Sequence, residues 1–368
     1  MPAVKDLEAG ACAAPIFVTF RLFSFTRPGR SATHRRNPLL PPADRFMDAI
    51  LYATPDNPVP ENHTCGFFTG HKGVKLRYAI FRSSHSVARG TVVLLHGRNE
   101  CIEKYFETIR DLNDQGLWVA TFDLRGQGGS ERLLKNGRRG HVRRFGDYER
   151  DLQIFLTEIV LPDTRLPFFL IGHSTGALIA LSAAPMLASR IDRMALCAPF
   201  LGLSGQGLPM GVIRAITRIA CLTGLSGLAL TRDRGAQSFE DNVVTSDPAR
   251  YRRNVAILEA HPQLGIGPPS CRWLAEAFAT IARVSRPEHL TRITVPTLIL
   301  APTMDRLVPF SAQENLARKF RACQLIPIAG AQHEVFQDRD IFRAQALGAI
   351  AAFMPGSDAQ EDGIGAAL

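Results

Sequence analysis

The amino-acid sequence predicts an α/β fold, a mostly parallel sheet with helices on both faces and a helical lid inserted between two of its strands. Three observations carry that expectation. Strand-like apolar runs alternate with helical stretches from about residue 65. The alternation stops at Pro199 and leaves residues 200–290 without a strand signal. It then resumes for two further strands and a last helix. Alternating strands and helices build right-handed βαβ units, which give parallel sheets covered on both faces.

The elements follow in order. Residues 74–81 alternate as a strand, and residues 91–95 (TVVLL) form a continuous β-branched apolar run, the mark of a buried strand. Residues 100–115 have helical spacing and stop at Gly116. A strand is expected over 117–122, a helix over 146–160, a strand over 168–171, a small-residue helix over 175–188 and a strand over 193–197. After the insertion come a strand over 295–300, a helix over 312–320, a strand over 324–328 and a helix over 341–353. Core residues are thus expected at 65–199 and 291–355, with the lid at 200–290 and a frayed tail over 356–368.

Composition narrows the class. Hydrophobic residues make up 46% and charged residues 21% of 368, the balance of an ordinary globular chain. The net charge of +9 raises nucleic-acid or anionic-membrane binding. That charge is diffuse, and no aromatic-interleaved basic motif accompanies it, so no nucleic-acid partner is expected. Cys12, Cys65, Cys101, Cys197, Cys221, Cys271 and Cys323 form no close pair and no Cys/His metal spacing. Reduced thiols in the cytoplasm are expected, with no metal and no cofactor.

Residues 16–25 read IFVTFRLFSF and are followed by Arg27, Arg30, Arg35 and Arg36. A signal peptide carries its charge before the apolar core, the reverse of this order, and the run is too short to span a bilayer. Residues 1–46 read as a disordered extension with Met47 as the functional start; a membrane-touching segment is the alternative. The apolar stretch 208–230 contains Arg214 and Arg218 on one helical face. Each would cost roughly 2.5 kcal/mol or more at mid-bilayer, so a lid helix with one basic face is expected there.

Chemistry concentrates at strand ends. Gly172-His173-Ser174-Thr175-Gly176 follows a strand and opens a helix, the context of a nucleophile elbow. The glycines clear the sharp turn, and the new helix aims its N-terminal amides at the serine. A serine hydroxyl needs a base, and the base an orienting carboxylate. Asp305 and His333 each follow their own strand, in the chain order Ser, Asp, His. The expected catalytic residues are therefore Ser174, Asp305 and His333. In Leu94-Leu95-His96-Gly97-Arg98-Asn99-Glu100, a strand ends in His-Gly, and the backbone N–H groups of Arg98 and Thr175 are the expected oxyanion hole. His96 and the Asp123-Leu124-Arg125-Gly126 turn read as supports. The cluster Arg138, Arg139, Arg143 and Arg144 reads as a solvated loop or as a site for phosphate or an anionic membrane surface.

His96-Gly97, the run from Asp123 to Ser130 and the elbow together resemble the monoacylglycerol lipase and lysophospholipase group of α/β-hydrolases. His96 to Glu100, Gly140-His141-Val142 and Asp147-Tyr148 resemble its bacterial lysophospholipase L2 branch. The resemblance spans about residues 65–355, the insertion matching only in length and helical character. It implies hydrolysis of a small amphiphilic lipid ester, a monoacylglycerol or lysophospholipid, beneath a helical lid. A cytoplasmic protein with peripheral contact at the inner face of the membrane is the accompanying expectation. Thr175 stands where many relatives carry methionine, which implies a different acyl-pocket wall. A peptidase or acyltransferase on the same triad, and a silent lipid-binding scaffold, are the competing readings. The sequence carries no signature of oligomeric state.

Overall fold

The computed structural model describes residues 50–354, apart from 136, 205–208, 232 and 234–237. The expected extension over 1–46, Met47 and the tail over 356–368 lie outside these residues.

Eight strands form one sheet in the order β1-β2-β4-β3-β5-β6-β7-β8. β1 (His63–Thr69), β2 (Lys75–Phe81) and β4 (Leu117–Phe122) pair antiparallel in that sequence. β3 (Gly90–Leu95), β5 (Phe168–His173), β6 (Arg193–Cys197), β7 (Thr297–Pro302) and β8 (Cys323–Ile328) complete the sheet in parallel register, with β4 pairing parallel to β3. The expected mostly parallel sheet is observed. β1 was not anticipated. It is an edge strand, and most of its side chains face water or are half covered, so it lacks the apolar run that betrays an interior strand.

Alternation inside the strands explains the two-faced burial. Val92 and Leu94 of β3 join one core with α1 (Phe106–Asp114) and α10 (Asp340–Phe353). Val93 and Leu95 join the other core, with α2 (Gly146–Phe155) and α4 (Thr175–Ala183). A strand buried on both faces must be apolar at every position. α2 continues through a π turn into the short α3 (Leu161–Asp163). The stretch expected as a helix from residue 100 begins as a 3₁₀ turn at Ile102, because Gly97 and Glu100 are used in a loop. α9 (Phe310–Ala317) starts and ends earlier than its expected span.

Residues between β6 and β7 form α5 (Met210–Leu222), α6 (Pro248–Ala260), α7 (Cys271–Val284) and α8 (Pro287–Leu290), with no strand among the described residues. α7 is amphipathic and buries Trp273, Leu274, Ala277 and Phe278 against the core. No helix among the described residues is long and apolar enough to cross a membrane. Six cysteines fall among the described residues, all free thiols.

α6 is tied to the core through Glu107 on α1, which accepts from Arg250 at 2.6 Å and pairs with Arg253 at 2.7 Å. Burial alone would raise the Glu107 carboxyl, but Arg250, Arg343 and Arg253 hold it at about 2. A depressed carboxyl stabilises the fold above its unfolded pKa, and that contribution is lost as pH falls through the folded value. Glu107→Gln should therefore cost about 1 kcal/mol at neutral pH, given the partial exposure of the cluster. Thermal melts of both proteins should converge as pH drops from 4.5 toward 2. A gap that persisted unchanged at acid pH would assign the loss to something other than charge.

Candidate active site

Sheet order fixes where the site lies. β3 has β4 on one side and β5 on the other, so the loops that leave β3 and β5 diverge at the switch point of the topology. Open α/β sheets place their sites at the carboxyl ends of strands beside such a point. The turns after β3, β5, β7 and β8 carry the residues singled out by sequence.

Between β5 and α4 the chain reverses within one residue. Ser174 sits at φ 50° and ψ −110°, a left-handed conformation costly for a residue with a side chain. Its backbone is held on both sides: its N–H donates to the Cys197 carbonyl at 3.0 Å, and its carbonyl accepts from Phe200 at 3.1 Å. A Cβ at Gly172 would lie 2.8 Å from the Ala177 backbone, and one at Gly176 would lie 2.6 Å from the His96 carbonyl. Both glycines are required for the helix to start this close to β3.

The structure brings Ser174, His333 and Asp305 together. His333 Nε2 lies 2.9 Å from Ser174 Oγ, and His333 Nδ1 lies 2.7 Å from Asp305 Oδ2. The second carboxylate oxygen, Asp305 Oδ1, accepts from the Leu307 and Val308 N–H groups at 2.8 and 2.9 Å. The Asp305 carboxylate is fully buried, and Ser174 and His333 are 8% and 4% exposed. Asp338 steadies the turn that bears His333 by accepting from the Gln332 N–H at 2.8 Å, while the Glu334 N–H donates to the Val244 carbonyl.

The N–H groups of Arg98 and Thr175 have no hydrogen-bond acceptor among the described residues. Thr175 opens α4, where the first amides of a helix are always left over. On the β3 side, Gly97 and Asn99 are both fixed: the Gly97 N–H donates to Glu100 at 2.5 Å and the Asn99 N–H to Gln127 at 2.7 Å. Arg98 is the free amide between two held ones.

His96 behaves as a support. Its Nδ1 faces the Gly97 carbonyl at 2.7 Å, and its Nε2 accepts from the Leu124 N–H at 3.1 Å. Asp123 accepts from Ile102, Gly129 and Arg77, tying the loops after β3 and β4 to β2. Burial alone would raise the Asp123 carboxyl, but the Arg77 guanidinium and the Gly129 N–H bring it down to about 2.

The insertion closes over this edge. Arg98 donates to the Gly267 carbonyl at 2.8 Å, Asn99 Oδ1 accepts from the Ile266 N–H at 2.9 Å, and the Trp273 ring stands 5.9 Å from Phe200. Of the basic cluster, Arg138 pairs with Asp233 and Arg139 donates to the Gly227 carbonyl, both on the insertion, whereas Arg143 and Arg144 are exposed. Sequence reasoning missed Glu100, Lys104, His173 and Glu334, which meet beside His333; nothing local distinguishes them from surface residues.

A family model described as serine aminopeptidase, S33 matches residues 86–340. The chain belongs to this S33 family. Among the relatives of this S33 hydrolase, lysophospholipase L2 of Escherichia coli (strain K12) is 31% identical over 296 residues, which cover 78% of this chain and 86% of that protein. Monoacylglycerol lipase of Mycolicibacterium smegmatis is 25% identical over 273 residues, covering 74% and 90%. A soluble variant of monoglyceride lipase from Saccharomyces cerevisiae superposes with a TM-score of 0.65 at 20% identity, covering 83% of this chain and 98% of that one. The S33 chain therefore has the α/β-hydrolase fold and falls in the monoacylglycerol lipase and lysophospholipase L2 group. It is an ester hydrolase.

Proposed function

We propose that this protein hydrolyses carboxylic esters of single-chain glycerolipids, monoacylglycerols or lysophospholipids, through an acyl-enzyme on Ser174. The contact chain Ser174 Oγ–His333 Nε2–Asp305, at 2.9 and 2.7 Å, carries the reading. His333 Nε2 takes the Ser174 proton as Oγ bonds to the ester carbonyl carbon. The Arg98 and Thr175 N–H groups receive the oxyanion, His333 returns its proton to the departing alcohol, and then activates water to release the fatty acid. Asp305, accepting two backbone N–H groups besides the imidazole, holds the ring.

The names of the relatives support a lipid ester, and the region 200–290 supplies the lid over it. α5 and the turn after it leave Val212, Ile219, Leu222, Leu225 and Leu228 exposed, with Arg214 and Arg218 on the same helix. This surface suits peripheral contact with an anionic lipid face.

An aminopeptidase would need an anion to receive the substrate's α-ammonium. The carboxylates beside His333, Glu100 and Glu334, are already engaged by Lys104, and on the side of the insertion the charged group is the guanidinium of Arg98. It rests over Trp273 at 5.9 Å and has a carbonyl but no carboxylate partner among the described residues. Burial pushes it down to about 10, against weaker opposition from Tyr148 and Glu100. It fits a phosphate-bearing head group.

A hydrolysis panel tests the proposal: monoacylglycerols, lysophospholipids, short p-nitrophenyl esters and an aminoacyl-nitroanilide, each with wild type and Ser174→Ala. Serine-dependent turnover should concentrate on the single-chain lipids. Turnover confined to the short esters or the anilide would discard the lipid assignment. Arg98→Gln should lower the ratio of kcat/KM for lysophospholipid over monoacylglycerol by about 10-fold, the worth of one charge-assisted hydrogen bond. An unchanged ratio would remove Arg98 from head-group recognition.

A further inference from the structure

Beside His333 lies a cluster of charged groups that the reaction above does not use. Glu100, 5% exposed, accepts from the Gly97 N–H at 2.5 Å, Tyr105 Oη at 2.7 Å and Lys104 Nζ at 3.0 Å. Lys104 also pairs with Glu334 at 2.6 Å. His173, 2% exposed, sits between the two strand ends: Nδ1 is 3.2 Å from Glu100 Oε1, and Nε2 is 3.2 Å from the His333 carbonyl oxygen. Its ring centroid is 5.1 Å from that of His333.

Both nitrogens of His173 face acceptors. A neutral imidazole has one N–H and one lone pair, so it satisfies only one of them. Glu100 does not supply the missing proton, because an ammonium, a phenol and an amide already donate to it. Charge balance agrees, since Lys104 alone offsets only one of the two carboxylates.

We infer that His173 is held as a doubly donating imidazolium, and that through it Glu100 positions His333 relative to the loop bearing the Arg98 amide. Glu100 and His173 are positioning residues. One carboxylate grips Gly97, next to the expected oxyanion donor, while His173 grips the backbone of the expected base. The inference deepens the Ser174-centred reading and rests on it for its catalytic consequence. The groups facing His173 are Glu100 and Lys104 after β3, with Tyr105 behind Glu100; Glu334 and the His333 ring after β8; and Cys197 at the end of β6. Burial would depress the His173 imidazole, but Glu100 and Glu334 outweigh it and raise its pKa, while Glu100 itself is held well below the carboxylate range.

Two measurements test this. In wild type labelled with [¹⁵N]histidine, and assigned by comparison with His173→Gln, both His173 ring nitrogens should carry protons at pH 7. A neutral ring at that pH would overturn the inference, whatever the enzyme's substrate. Glu100→Gln should lower kcat on p-nitrophenyl butyrate by roughly 10²-fold, the scale of a small misplacement of reacting groups, with KM little changed. Without Glu100 the His173 proton is lost at lower pH, so the alkaline limb of kcat should move to lower pH. A purely structural role would reduce the amplitude without moving the limb, and that result would also overturn the inference. Should Glu100→Gln fail to fold, the wild-type imidazole signal still decides. Ser174→Ala that kept full activity would sink the functional reading while leaving the His173 result to stand by itself.

Discussion

Ser174→Ala should lower kcat on a p-nitrophenyl ester by about 10⁴-fold or more, and abolish labelling by a fluorophosphonate probe. The size follows from the role proposed for the hydroxyl. Without Oγ no acyl-enzyme forms, and hydrolysis must proceed by direct attack of water on a bound ester. The residual rate then comes from binding and the two amides alone, because His333 has lost the nucleophile it serves. The effect should fall on kcat, with KM largely kept. Stability should hardly move. Alanine accepts the same strained backbone at φ 50° that serine already bears, and among the described residues the only hydrogen bond lost through the side chain is the one to His333. Intact labelling in the alanine variant would mean that another residue is the nucleophile.

Arg77→Met is expected to give the largest loss of stability, about 3–5 kcal/mol in urea unfolding. Arg77 is 2% exposed and grips three segments at once. Nε donates to Asp123 at 2.6 Å, the two terminal nitrogens donate to Glu103 at 2.8 Å each, and one of them also reaches the Ile50 carbonyl at 2.8 Å. Asp123 and Glu103 are both fully buried. Methionine fills much of the volume yet strands two carboxylates without their cation, and an uncompensated buried charge costs more than the pair contributed. Asp123, held at about 2 in the intact protein, would then bind a proton at higher pH. The stability gap to the wild type should thus narrow in acid, since protonation relieves the stranded carboxylate in the variant, whereas the stability that the wild type owes to its depressed carboxyl is lost as pH falls through the folded value. A loss below about 1 kcal/mol would mean that the loops relax enough to hydrate both carboxylates.

Much of the fold was legible because interior strands are apolar on both faces. Residues 91–95 alternate between the two cores, Val92 and Leu94 to one and Val93 and Leu95 to the other. Their run joins β-branched Thr91, Val92 and Val93 to Leu94 and Leu95 without a charged residue, which no surface element needs. The missed strand β1 has the opposite character. With one edge unpaired and its side chains partly in water, its residues obey weaker rules. The strand 295–300 was seen but shifted, being Thr297–Pro302, since pairing with β8 rather than hydrophobicity sets its end.

The candidate site divides in the same way. Gly172, Ser174 and Gly176 were legible because a one-residue reversal from strand to helix leaves no room for side chains around it. The order Ser174, Asp305, His333, each after a strand, was legible because parallel strands deliver their ends to one edge. The Glu100, His173, Lys104 and Glu334 cluster was not. Its members come from the end of β5 and the turns after β3 and β8, and a Lys or Glu in a loop is ordinarily solvated.

The sequence by itself determined a parallel α/β sheet, its helical interruption and which residue types stand at the strand ends. Periodicity and steric necessity are local, and each can be read within a few residues. Only the tertiary structure decided that His333 meets Ser174 at 2.9 Å, that the Arg98 amide has no acceptor among the described residues, and that His173 faces two acceptors. Those facts arise from segments as far as 160 residues apart meeting in a buried space. Water is excluded there, so the partners that replace it settle each group's charge and hydrogen bonding.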